Sequence, residues 1–545
     1  MTRASHRPDW ALWLAWLILL TGVAIFSRPA LPLDETRYLS VAWEMWQRGD
    51  FLVPFKNGEA YSHKPPLLFW LIHLGWVLTG VNEWWPRLIP PLLALAGAGM
   101  TWRLANRLWP EAPESARFAP WVLLSSMLWL LYSQALFFDL LIAICALLGL
   151  IALVEAAFTG RRRWWALFGL SVGLGVLAKG PAILVHLLPA ALSAPWWLRH
   201  APRRPAWGRW YRDLGLALLL GVAIALAWAV PAGMRGGEAY REAIFWGQTA
   251  NRMVKSFAHQ RPFWWYLATL PLFLFPWLVW PRLLAGLART LRADFRDAGV
   301  RFAMAWFAAA LLIFSAISGK QPHYLLPEYP AIALLVGHAL ARRPITSRPW
   351  LAGLAFVAMG LGVLYLTLSP AAPKAGILRV IANMPDWAGI GFLLAGALAL
   401  RRADTAAARI GSLAWACLLA MAWLLFALVR PLSPAYDMGP MARELARYQA
   451  LGHPVAYEGK YHAQYQFVGR LDQPLRPMFG QELADWLESH PEGVAVVFID
   501  RSEDPAPYHP LFSHAYRSSL SLLIDRRGAP ALRGQASAPQ DESED

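Results

Sequence analysis

The stretch LPLDETRYLSVAWEMW, residues 31–46, sets two carboxylates, Asp34 and Glu35, between an apolar run and an aromatic segment with helical spacing. Acids so placed suit base or electrostatic work on a reacting group. With Pro32 and Thr36 they also compose a helix start, where they would cap and complement the dipole. The next polar stretch, GEAYSHKPPLLFW, carries Tyr61, His63 and Lys64 ahead of a Pro-Pro pair. A lysine there is suited to a phosphate at headgroup level, and equally to snorkelling.

Asp139, in SQALFFDLLIAICALLG, stands at the end of an apolar run. An acid inside such a run costs about 2.5–3.5 kcal/mol on insertion scales, so it calls for a function or a buried partner, unless it is the N-cap of the helix. WGQTANRMVKSFAHQRPFWWYL adds Arg252, Lys255, His259 and Arg261, and SGKQPHYLLPEYP adds Lys320, His323 and Tyr324. Arginine can clasp phosphate oxygens in bidentate fashion, and tyrosine can donate one further hydrogen bond. Lys179, in LAKGP, reads as a snorkelling helix end rather than a ligand. Carboxylates together with several cations suit chemistry on a lipid phosphate held at the bilayer surface.

The elements that must position these residues are membrane spans. Of 545 residues, 57% are hydrophobic and 16% charged, whereas soluble domains carry about 25% charge. Runs such as WALWLAWLILLTGVAIF and IGSLAWACLLAMAWLLFALV approach or exceed the length that crosses about 30 Å of hydrocarbon. About thirteen spans are expected, near 10–28, 86–106, 118–133, 139–158, 164–179, 181–198, 213–231, 263–281, 302–318, 325–341, 350–369, 387–401 and 410–430. The run 67–79 is short enough to be re-entrant or interfacial. The first run follows MTRASHRPD without a small-residue cleavage site and reads as a retained span.

A net charge of +15 would suggest nucleic acid in a soluble protein. Here most Lys and Arg lie in short loops, so the positive-inside rule accounts for them and no nucleic-acid partner is expected. That rule puts the Arg-rich segments 161–163, 199–212, 282–301, 341–348 and 401–409 on the cytoplasmic side. The loops 29–85 and 232–262 then face outward, as does everything after Arg430. Residues 1–430 thus form a transmembrane domain, the catalytic one if these residues do chemistry, and 431–527 a small outer α/β domain. Residues 528–545, rich in Ala, Pro and Ser with acids at the end, read as a disordered tail. Cys145 and Cys417 both sit in apolar runs, which leaves no disulfide framework or thiolate metal site. No Walker loop, dinucleotide fingerprint, HExxH or GxSxG stands in a fitting context, which removes support for nucleotide hydrolysis, dinucleotide redox and serine-hydrolase chemistry. A transporter or flippase is the main rival, although transporters generally place their ionisable groups near mid-membrane and these cluster at one interface.

LDETRY, YSHKPPLLFW, FFDLLIAICALLGL, WGQTANRM with RPFWWYL, and SGKQPHYLLPEYP together resemble, in this order, the bacterial branch of the protein-mannosyltransferase superfamily. The nearest likeness is to the aminoarabinose lipid A transferases, and it covers roughly residues 10–345. The resemblance implies a polytopic GT-C glycosyltransferase of the bacterial inner membrane, acting as a monomer with its active site on the periplasmic face. It would move a sugar from a polyprenyl (undecaprenyl) phosphate donor to lipid A or another lipid, glycan or protein acceptor, inverting the anomeric centre. On this likeness Asp34 is the catalytic carboxylate, Asp139 supports it, and Glu35 is counted with them. Lys64, Arg252 and Tyr324 hold the donor phosphate; Tyr38, Tyr61, His63 and His323 line the cavity. No cofactor is required. His63 departs from the pattern, since relatives commonly have an acid there that is linked with a structural metal. A divalent metal would need His63 with partners such as His259 or His462.

Overall fold

The computed structural model describes residues 9–247, 260–369, 378 and 381–533. The protein is a multi-pass, mainly helical membrane protein with a small C-terminal sheet domain. Among the described residues, nine helical stretches are long and apolar enough to cross a membrane: Trp10–Ser27, Trp84–Leu108, Phe138–Thr159, Arg163–Leu192, Trp207–Arg235, Ala298–Ala316, Pro322–Arg342, Trp350–Leu368 and Ala406–Ala450.

Four of the thirteen expected runs depart from single long helices. Residues 118–133 split into Pro113–Leu124 and Met127–Tyr132. At the break the hydroxyls of Ser125 and Ser126 bond back to the carbonyls of Trp121 and Val122, at 2.5 and 2.7 Å. Residues 181–198 continue the preceding helix through a turn at Gly180–Ala182, where Gly180 takes a φ of 73° that a side chain would resist. Residues 263–281 yield only Trp265–Phe273 and the turn Trp277–Val279, since Pro276 cannot donate a helical hydrogen bond. The fourth run, near 387–401, becomes the shorter apolar helix Asp386–Leu400.

By contacts the chain divides into two compact units. One comprises Met1–Ala24, Glu83–Val230 and Trp246–Leu428; the other comprises Ile25–Asn82, Pro231–Phe245 and Val429–Asp545.

Within the first unit, helices Phe138–Thr159 and Arg163–Lys179 are joined by a short turn. Antiparallel neighbours of this kind bring their far ends, Asp139 and Lys179, to the same level. Ser171 Oγ fixes the pairing by donating to the Cys145 carbonyl at 2.6 Å. On its other side, Arg163–Lys179 meets Trp207–Arg235 through glycines. A Cβ at Gly169 would lie 2.6 Å from the Ala217 carbonyl oxygen, and one at Gly173 would lie 2.6 Å from Ile224 Cβ. Close approach of this sort is how membrane helices gain packing where lipid offers no hydrophobic drive.

Within the second unit, helix Asp34–Arg48 is followed by a two-stranded hairpin, β1 (Phe55–Lys56) with β2 (Glu59–Ala60), and by helix Leu67–Thr79. The C-terminal sheet comprises β3 (Val455–Glu458), β4 (Arg476–Met478), β5 (Val494–Asp500), β6 (Phe512–Tyr516) and β7 (Ser519–Ile524), in the order β4-β3-β5-β7-β6. β3 runs parallel to β4 and β5, whereas β7 is antiparallel to β5 and β6.

Strand alternation sends Val494 and Val496 into one core with Met441 and Leu445. Ala495, Val497 and Ile499 enter the opposite core with Leu483 and Leu487, so helices cover both faces of the sheet. That second core also holds Ala529 and Leu532 of the short helix Ala529–Leu532. Residues up to Leu532 therefore belong to the domain rather than to a tail beginning at 528, because Leu532 has apolar surface to bury.

Helix Asp34–Arg48 is packed into the protein along one face. Tyr38, Leu39, Val41, Ala42 and Met45 are all buried. Trp43 Nε1 donates to the Leu471 carbonyl at 3.2 Å, and Gln47 Nε2 to Asp472 Oδ1 at 2.7 Å. Asn57 Nδ2, from the hairpin, donates to the Leu475 carbonyl at 2.9 Å. Helix Asp34–Arg48, the hairpin after it and the C-terminal domain are thus stitched together by side chains.

Candidate functional site

In the second unit the site begins with Asp34, first residue of its helix. Leu33 is the N-cap and no side chain caps the helix, so Asp34 is free of that duty. Arg37 forms an ion pair with Asp34 one turn on, and Tyr38 Oη donates to Asp34 Oδ1 at 3.2 Å. The Asp34 side chain remains 42% exposed, which leaves it able to meet a substrate. Burial pulls the Arg37 guanidinium pKa down, but Tyr61, Tyr38 and Asp34 more than offset this and raise it. Tyr61 is buried, stacked on His63 with ring centres 5.3 Å apart, and Lys56 Nζ lies 5.8 Å from its ring centre. Lys64 is half-buried, just ahead of the Pro66 that caps helix Leu67–Thr79.

Glu35 has a different fate from its neighbour. It is 2% exposed, paired with Arg28 through two guanidinium nitrogens, and accepts from the Leu31 amide at 2.7 Å. Its carboxylate is thus taken up by Arg28 and the Leu31 amide, whereas that of Asp34 keeps an open side. Its place is to hold the chain that leads into Asp34.

In the first unit, Asp139 is 3% exposed and sits in the first turn of its helix, two residues beyond the N-cap Phe137. It does not cap the helix. Its carboxylate pairs with Lys179, whose Nζ also lies 5.0 Å from the Tyr324 ring centre. Lys179 is therefore a polar partner of Asp139 and not a snorkelling end. The cost of Asp139 in an apolar run was the signal that a cation had to stand nearby.

Tyr324 and His323 lie on the 3-10 turn Pro322–Glu328. His323 Nδ1 and Tyr132 Oη are 2.8 Å apart, and the Tyr324 ring centre is 5.9 Å from that of Phe314. Lys320 is 3% exposed and donates to the Arg261 and Ile317 carbonyls, so it holds the backbone here. Arg252, Lys255 and His259 lie outside the described residues. Among the described residues no group of three or more His, Cys, Asp or Glu is placed to hold a metal, and neither His63 nor His462 belongs to one. Sequence reasoning passed over Arg28 and Arg37, whose signal was their spacing of seven and three residues from an acid.

Acids paired with cations thus stand in both compact units, Asp34 with Arg37 in one and Asp139 with Lys179 in the other. The dolichyl-phosphate-mannose-protein mannosyltransferase family matches residues 63–234. An undecaprenyl phosphate-alpha-4-amino-4-deoxy-L-arabinose arabinosyl transferase of Pseudomonas aeruginosa is 32% identical over 444 residues, which cover 79% of this chain and 77% of that protein. With that identity and coverage, the chain belongs to the family of these arabinosyl transferases. The crystal structure of ArnT from Cupriavidus metallidurans in the apo state has the same fold, with a TM-score of 0.72 and 21% identity over 96% of this chain and 99% of that one. The same enzyme bound to undecaprenyl phosphate matches with a TM-score of 0.70 and 21% identity over 97% and 99%.

Proposed function

We propose that this protein transfers 4-amino-4-deoxy-L-arabinose from undecaprenyl phosphate to lipid A, working as a monomer at the periplasmic face of the bacterial inner membrane. The observation that carries this reading is family membership together with the disposition of Asp34: exposed, at a helix start, and oriented by Arg37 and Tyr38. Asp34 takes the proton of the acceptor hydroxyl as its oxygen attacks the anomeric carbon. The carbon–oxygen bond to the phosphate breaks, the electron pair leaves with undecaprenyl phosphate, and attack opposite the leaving group inverts the centre.

Lys64 and Arg252 neutralise the departing phosphate and Tyr324 donates a hydrogen bond to it, with Lys179 beside Tyr324; fixed cations supply this stabilisation without a metal. Asp139 keeps Lys179 in place.

The test is transfer of labelled sugar in membranes loaded with undecaprenyl-phosphate sugars, comparing wild type with equally expressed Asp34→Asn. Loss of transfer with donor binding retained is expected. Undiminished transfer by the variant removes Asp34 from the chemistry. Transfer of a different sugar, or to a glycan or protein in place of lipid A, overturns the assignment of substrates while keeping the reaction.

A further inference from the structure

Beneath the turn that carries His323 and Tyr324 lies a pair of ionisable side chains that the mechanism above does not use. His186, on helix Ile183–Leu192, is 3% exposed; Glu328, the last residue of the turn Pro322–Glu328, is 0% exposed. His186 Nδ1 and Glu328 Oε1 are 2.6 Å apart. The other carboxylate oxygen, Oε2, is buried without a hydrogen-bond partner among the described residues. Such a pair is expensive to bury, and breaking it is worse than never having it. In an apolar run an acid of this kind is retained for a reason.

Geometry supplies the reason. The turn Pro322–Glu328 packs against Phe138–Thr159, Ala298–Ala316 and Met127–Tyr132. At its start the Gln321 carbonyl accepts from Tyr266 Oη at 2.9 Å, and in its first half His323 meets Tyr132. Its far end is tied to His186. The His186 ring centre is also 5.5 Å from that of Phe314, the ring that touches Tyr324. A 3-10 turn has poor internal hydrogen-bond geometry and does not hold itself in one register. Two polar ties at its ends therefore decide where its side chains stand.

We propose that His186 and Glu328 are a positioning pair for the donor-phosphate site, acting through the Pro322–Glu328 turn to hold Tyr324 beside Lys179. This rests on the reading of Tyr324 as a phosphate ligand. Neither residue touches the donor; their effect is on its affinity.

The experiment measures binding of undecaprenyl phosphate, and separately the donor KM and kcat, in purified full-length protein of matched thermal stability. Glu328→Leu and His186→Phe each weaken binding and raise donor KM about tenfold, with a smaller change in kcat. Glu328→Gln, which keeps a hydrogen bond to a neutral imidazole, restores near wild-type affinity. In a Tyr324→Phe background, Glu328→Leu adds little, because residues acting through one another are not additive. A merely structural pair would lower the melting temperature and leave the KM of the folded protein alone. Unchanged donor affinity in Glu328→Leu and His186→Phe, or full additivity with Tyr324→Phe, overturns the proposal and leaves the glycosyltransferase reading intact. Wild-type protein that neither binds undecaprenyl phosphate nor transfers sugar overturns that reading, and the pairing role with it.

Discussion

Asp139 and Lys179 show how a single acid in an apolar run can dictate its partner. Lys179 is only 19% exposed at its side chain and Asp139 4%, so neither charge has enough water to stand alone. Removing one strands the other, at about 3–5 kcal/mol. Lys179→Ala and Asp139→Asn should therefore each lower the melting temperature in detergent and abolish transfer. The double variant Lys179→Leu with Asp139→Leu should recover most of the stability and none of the activity; a double variant less stable than both singles would show that the pair is not coupled. Asp139 was legible in the sequence because its cost is local. Lys179 was not, because 40 residues separate it from Asp139 and its own neighbours, Ala178 and Gly180, fit an ordinary helix end. Asp34 and Glu35 were legible as a pair, but which acid faces outward depended on Arg28, seven residues upstream.

Elements explain why those residues meet at all. The helix that ends in Lys179 is seated by Gly169 and Gly173, with Ile224 in the space a side chain would need. Gly173→Leu should force Arg163–Lys179 away from Trp207–Arg235 and destabilise by about 1–3 kcal/mol, read as a lower melting temperature with weakened donor binding. Gly215→Ala serves as the control, since nothing lies within 4 Å of a Cβ there.

In the C-terminal domain, β3 ends in Glu458, whose Oε2 accepts from the Phe498 amide of β5 at 2.9 Å. Burial raises the Glu458 carboxyl above its ordinary range, and the Phe498 hydrogen bond only partly offsets this. A carboxyl raised on folding favours the folded state while protonated in both states. As the pH climbs past about 4.3, the unfolded chain ionises first and that contribution is lost up to the folded pKa. Unfolding followed by fluorescence from pH 4 to 7 should show a decline in wild type that Glu458→Gln reduces; identical profiles would remove Glu458 as the cause. The helical runs and C-terminal strands were legible from apolar periodicity, whereas the break at Ser125 came from hydroxyls that bond back to helix carbonyls and the turn at Gly180 from a positive φ that suits a residue without a side chain.

At the scale of the whole molecule, the second unit gathers residues 25–82, 231–245 and 429–545. Far-apart segments share one core, and its boundary is set by burial. Ala529 is 0% and Leu532 2% exposed. A chain ending at Arg533 should match wild type in stability and transfer. One ending at Gly528 should lose about 2–5 kcal/mol through the vacated core; equal melting temperatures for the two truncations would place the domain's end before 529.

What the sequence by itself determined is the medium and the chemistry on offer: spans long and apolar enough for a bilayer, and acids and cations whose desolvation demands a purpose. These follow from composition and short-range spacing, which act within a few residues. Only the tertiary structure decided that Glu35 is enclosed by Arg28, that Lys179 answers Asp139, that helix Asp34–Arg48 is packed against the C-terminal domain, and that Leu532 belongs to a core. Each depends on packing between segments tens or hundreds of residues apart, and no local pattern records which distant surface will cover a given side chain.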